Sequence, residues 1–107
     1  LTVVASDAGK TFCNVGASGA VTFTLPAAAN CTPGDDFLFL SCADQNFAVA
    51  AANAGELITF NDVAANSVTL STSSEKAGGA VLVTCVSGSK FHVALMTEET
   101  QTVTVAT

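Results

Sequence analysis

His92 is the only histidine in this chain, and Cys13, Cys31, Cys42 and Cys85 are its only thiols. A zinc site takes three or four nitrogen and sulfur ligands at characteristic spacings. Here no two cysteines stand in a Cys-x-x-Cys pair, and His92 lies between Phe91 and Val93 in an apolar stretch. A Cys–His nucleophile needs a base beside the thiol, and no local pattern places one there. His92 therefore reads as a structural side chain on a strand. The cysteines read as small apolar residues or, on an oxidising exterior, as partners in up to two disulfides with three connectivities open.

The carboxylates offer no stronger chemistry. Asp7, Asp35, Asp36, Asp44, Glu56, Asp62, Glu75, Glu98 and Glu99 fall nearly all in turn-forming surroundings, where aspartate bonds its own backbone and keeps the surface soluble. Asp35-Asp36 and Glu98-Glu99 are adjacent, but strand neighbours point to opposite faces, so adjacency makes no acid–base pair. Glu56 with Asn61 and Asp62 lacks the compact oxygen-rich spacing of a calcium loop. Gly16-Ala17-Ser18-Gly19 has no Lys-Ser/Thr and no following helix, and reads as a hairpin turn rather than a phosphate loop. Asn30-Cys31-Thr32 fits a glycosylation sequon of a length that recurs by chance. No catalytic, cofactor-binding or metal-binding residue is assigned, and the chain is not read as an enzyme.

The elements that carry these residues have a period of two. Val21, Phe23 and Leu25 alternate with threonine, and residues 67–71 and 101–105 repeat the scheme. Residues 36–42 and 80–86 are continuously apolar, which predicts strands buried on both faces. Turn residues punctuate these runs, from Asp7-Ala8-Gly9 to Ser87-Gly88-Ser89, the clearest hairpin, where Gly88 is expected to supply a positive φ. Strands are predicted at 2–5, 10–15, 20–25, 36–42, 47–51, 57–60, 67–72, 80–86, 90–96 and 101–106. After Pro26 a single helical turn fits residues 26–30. The whole makes one all-β domain over 1–107, a small β-sandwich or barrel of short antiparallel strands.

Composition then says what such a domain must do with its surface. Half of the 107 residues are hydrophobic, only 11% are charged, and tyrosine and tryptophan are absent. Ordinary domains carry about 25% charged residues, and a chain this small cannot bury such an apolar excess alone. No apolar run approaches the ~20 residues of a membrane span, so the excess belongs against other protein. The formal charge of −6, with Lys10, Lys76 and Lys90 as the only cations, argues against nucleic acid and against an anionic membrane surface. Without tyrosine and tryptophan a carbohydrate-binding surface is disfavoured. Terminal arms are expected at about 1–6 and 98–107, with Thr2, Val3, Val4, Thr102, Val103, Thr104 and Val105 offering strand edges to a partner.

Several stretches also carry a resemblance. Asp7-Ala8-Gly9-Lys10-Thr11-Phe12, Gly19-Ala20-Val21-Thr22-Phe23-Thr24-Leu25-Pro26, Gly55-Glu56-Leu57-Ile58 and Gly88-Ser89-Lys90-Phe91-His92-Val93 follow one another in the order of a known pattern. The chain resembles a small β domain of tailed-bacteriophage virion proteins, found in capsid decoration (cement or head-fibre) proteins and as a tail-fibre module. It departs from that pattern in having Phe91 where tryptophan is usual, and in its four cysteines. The resemblance implies a homotrimer on the virion surface, with the major capsid protein as partner and no catalytic residue or cofactor. The expected role is decoration and stabilisation of a capsid by bridging coat subunits. The alternatives are a tail-fibre or receptor-binding module and a secreted adhesion or carbohydrate-binding module.

Overall fold

The computed structural model describes residues 1–71, 77–97 and 102–107. Lys76, Glu75, Glu98, Glu99 and the start of the predicted strand at 101 lie outside the described residues. Ten strands run β1 (Thr11–Cys13), β2 (Val21–Thr24), β3 (Asp36–Leu40), β4 (Phe47–Ala50), β5 (Leu57–Thr59), β6 (Asp62–Ala65), β7 (Ser67–Leu70), β8 (Ala80–Ser87), β9 (Lys90–Met96) and β10 (Val103–Ala106). They form a six-stranded sheet, in the order β1-β3-β8-β9-β5-β6, and a four-stranded sheet, in the order β10-β7-β4-β2. The all-β sandwich expected from the period-two pattern is the fold, and among the described residues no helix is long and apolar enough to cross a membrane.

The strands are not uniformly antiparallel. β1 pairs with β3, β2 with β4 and β5 with β9 in parallel. The cause is that the chain shuttles between the sheets: β1 and β3 lie in one, β2 and β4 in the other, so each return comes back in the same direction. Only β5–β6 and β8–β9 are hairpins within one sheet.

The period-two alternation turns one face of each sheet into the core. Phe37, Phe39, Val81, Val83, Phe91 and Val93 from the six-stranded sheet meet Phe23, Phe47, Val49, Val68 and Leu70 from the other in a single buried cluster. Four rings seal the seam: Phe23 lies 5.2 Å from Phe39 and 5.6 Å from Phe47, and Phe12 stacks on Phe39 at 5.3 Å. The Pro26 region makes its one helical turn at Ala28–Asn30.

Three local expectations are corrected. The strand predicted at 2–5 shrinks to a bridge at Thr2, because the Asp7 carboxylate accepts the Val4 amide at 3.1 Å and folds Ala5–Asp7 into a 3-10 turn. Strand β6 was not expected. It exists because Phe60 and Asn61, at φ 46° and 61°, close a two-residue loop between Thr59 and Asp62. Both left-handed residues match the twist of a hairpin. Gly88, by contrast, is not left-handed; the irregularity between Cys85 and Ser87 re-aims β8, and the Ser87 hydroxyl accepts the Ser89 amide at 3.2 Å.

Phenylalanine has no local hydrogen bond to offset a left-handed backbone, whereas asparagine does. Phe60→Asn should therefore raise the unfolding free energy by about 1 kcal/mol. Urea denaturation checks it, and a loss of stability would mean the Phe60 ring packs usefully although it is 62% exposed.

Candidate interaction surface

The inward alternation has an outward counterpart, and the two sheets differ in it. On the four-stranded sheet Thr22, Ala48, Thr69 and Thr104 lie in one outward row, and Thr24, Ala50, Ser67 and Ala106 in the next. These side chains are small and mostly hydroxylated. On the six-stranded sheet the rows read Thr11, Leu38, Leu82 and Ala94, then Cys13, Leu40, Ala80 and Met96, with Asp36, Thr84, His92 and Ile58 on the other side. Leu38, Leu40, Leu82 and Ile58 are half-buried and Met96 is 50% exposed. The continuous apolar runs at 36–42 and 80–86 therefore do not mark strands buried on both faces. One face is core, and the other is an apolar surface that this chain leaves partly open to water.

At one end of that sheet the register brings together the ends of β1, β3 and β9 and the β5–β6 loop, with Val15, Met96 and Phe60 exposed. At the opposite end the chain is tied down by polar contacts. The Lys90 ammonium donates to the carbonyls of Gly55 and, at 2.6 Å, of Val63, while the Gly55 amide donates to Asn66 Oδ1 at 2.7 Å. Both oxygens of the buried Glu56 carboxylate lie 3.4 Å from the Ala28 amide. Glu56 and Asp62 thus serve the backbone separately: Asp62 accepts the Ala64 amide at 2.9 Å and the Thr107 hydroxyl at 2.6 Å, which hold its carboxyl below the usual aspartate range. The two carboxylates do not converge on a common site.

His92 points outward between Thr84 and Ile58 and is exposed. Among the described residues no three His, Cys, Asp or Glu side chains gather as metal ligands, and no pocket opens. All four cysteines are free thiols, so the disulfides expected from their number are not formed in this structure.

The terminal stretches lie against the four-stranded sheet, the first through a bridge at Thr2 and the second as strand β10. Val3 is 1% exposed and belongs to the core; its amide donates to the Thr24 carbonyl at 2.8 Å, and the Thr24 amide donates to the Leu1 carbonyl at 2.8 Å. Thr2 bridges Thr24, and Leu1, Thr2 and Val4 are exposed around the buried Val3. Val103 and Val105 face the core from β10, opposite Leu70 and Val68, while Thr102 and Thr104 are exposed. The two stretches are the outer edges of the four-stranded sheet.

No family model, curated protein or solved structure matches this chain.

Sequence reasoning expected contacts from an apolar β surface as well as from the termini, without saying which face is apolar; the register puts the apolar outer rows on the six-stranded sheet. The signal was there: Leu38, Leu40 and Leu82 interleave with Phe37, Phe39, Val81 and Val83, where a solvent-facing strand has threonine.

Proposed function

We propose that this chain is a structural protein of the virion surface that decorates and stabilises a bacteriophage capsid, bridging coat subunits as a homotrimer. The observation that carries the reading is the contrast between the two outer faces. A threonine-rich face suits water, whereas a face of Leu38, Leu40, Ile58, Leu82 and Met96 suits another protein surface. Such a face docks with little loss of side-chain freedom, since its members are short or already half-held. The order of the turn and strand stretches along the sequence resembles that of phage decoration domains, and that resemblance is what suggests the capsid and the number three.

The physics of attachment follows. Binding only the assembled lattice stabilises that lattice by mass action, and three protomers per unit multiply weak contacts through avidity. With three lysines and no arginine in the chain, ion pairs contribute little to the contact. Screening weakens exposed charge pairs and leaves apolar burial intact, so occupancy should persist in several hundred millimolar salt.

The test is co-sedimentation of the protein with capsids lacking it. Leu82→Glu places a charge in the middle of the apolar face and should reduce occupancy at least tenfold, while Thr69→Glu on the other outer face should bind as the parent does. Each variant's circular dichroism controls for folding. Equal occupancy of both variants, or release of the parent by salt, would overturn the proposal.

A further inference from the structure

Cys13 and Cys42 share a place in the fold that neither position alone suggests. Cys13 ends β1, directly beside Leu40 in the parallel ladder with β3, and its side chain takes the outward face with Leu40. Neighbouring strands are about 4.8 Å apart. Cys42 follows Leu40 by two residues and is exposed, with the buried Ser41 between them. The chain does not run on past β3. The Cys42 amide donates to Asn14 Oδ1 at 2.6 Å, and Ser41 exchanges backbone bonds with Gly79 and Gly78 at 2.8 and 2.7 Å. The first bond holds residue 42 against the residue that follows Cys13, and the other two fix the bend at Ser41. Both thiols are exposed, and that of Cys13 is near enough to hydrogen-bond to that of Cys42.

We propose that Cys13 and Cys42 are a redox pair that closes to an intramolecular disulfide by exchange with a small-molecule disulfide such as oxidised glutathione. A disulfide needs two Cα atoms within about 7 Å, and the bond from the Cys42 amide to Asn14, the residue after Cys13, together with the adjoining thiols, brings the pair within that reach. The step balances. The Cys13 thiol gives its proton to solvent, and the thiolate attacks one sulfur of the glutathione disulfide, releasing one glutathione thiolate. The Cys42 thiol then loses its proton, and its thiolate attacks the Cys13 sulfur, releasing the second glutathione. Overall the protein loses two protons and two electrons, and the small disulfide is reduced to two thiols. Local desolvation and the neighbouring Cys13 sulfur hold the Cys42 thiol up, which disfavours attack from that side.

The other two cysteines supply an internal contrast. Cys85 is buried with its thiol donating to the Ser87 carbonyl at 3.2 Å, and Cys31 is half-buried against the same core. Burial pushes both thiols up. Cys85 is buried and Cys31 only partly open, so the exchange favours the exposed pair. Closing Cys13 to Cys42 fastens β1, an edge strand of the six-stranded sheet, to the end of β3. This inference is independent of the capsid reading.

The folded, full-length protein is incubated with oxidised glutathione, then denatured, alkylated, digested without reductant and mapped by mass spectrometry. The expected product is a monomer two hydrogens lighter, with the peptide bearing Cys13 joined to that bearing Cys42 and with Cys31 and Cys85 alkylated. Its melting midpoint should rise by several degrees and return on reduction. In Cys42→Ser the exchange should stop at glutathione bound to Cys13, and Cys31→Ser should still form the bond. A first link between Cys31 and Cys85, separate glutathione adducts on Cys13 and Cys42 in the parent, or covalent dimers would each overturn the proposal.

Discussion

Phe39→Ala is expected to lower the unfolding free energy by about 3–5 kcal/mol, the range for removing a fully buried aromatic ring. Phe39 has no exposed surface, and its ring is the junction at which the two sheets meet, with Phe12 at 5.3 Å and Phe23 at 5.2 Å. The neighbours cannot close over the gap easily. Phe12 rides on β1, Phe23 on β2 and Phe47 on β4, so filling the void means moving strands of both sheets. Natural domains hold only about 5–15 kcal/mol in total, so one ring accounts for a large share. Urea unfolding monitored by circular dichroism reads the loss. A cost below about 1 kcal/mol, the scale of a single methylene group, would show that the seam repacks and that the ring cluster is not the fold's keystone.

The second large effect is set at the other end of the four-stranded sheet. Val3→Asp should cost about 2–3 kcal/mol, the worth of burying one branched aliphatic side chain, whereas Val4→Asp should stay within about 0.5 kcal/mol as an exposed substitution. The loss at residue 3 has a ceiling. A carboxylate in the core is intolerable without a partner, but residues 1–3 can peel from β2, giving up their bonds to Thr22 and Thr24 rather than unfolding the whole. Peeling predicts more: amide exchange at Thr24, whose amide donates to Leu1, should accelerate in Val3→Asp and not in Val4→Asp. Equal stability of the two variants would mean that Val3 is not part of the core.

That pair of valines also measures how far the sequence could be read. Alternation is a strong signal where polar threonine interleaves with apolar residues, and β2, β7 and β10 lie where it put them. Val3-Val4 carries no alternation, so nothing in the pair says which side chain is inward; the Asp7 carboxylate on the Val4 amide decides it, through a contact with no periodic trace. Strand β6 was illegible for a different reason. Its hairpin needs two left-handed residues, and Phe60 is the wrong residue type for one of them, so the usual turn chemistry is absent from the text. The outer face of the six-stranded sheet was legible as a run of leucine and phenylalanine, but an apolar run does not tell a second layer of this chain from a surface awaiting another. The Cys13–Cys42 juxtaposition depends on the β1–β3 register, which is a long-range property no local pattern encodes.

The shuttling of the chain between sheets sets its timetable. Only β5–β6 and β8–β9 can zip from a nearby turn; every other pairing joins strands separated by an element that belongs to the opposite layer. Each such pairing must close a loop before any contact rewards it, so the search is governed by sequence separation, and domains of this topology fold in milliseconds to seconds rather than microseconds. During synthesis the edge of β7 stays bare until residues 103–106 have left the ribosome, because β10 is its only partner on that side. A nascent copy therefore carries an open strand edge from the emergence of β7 to that of β10. The serine and threonine of β7 give that strand a polar outer face, so its bare edge is exposed through the backbone rather than through an apolar surface.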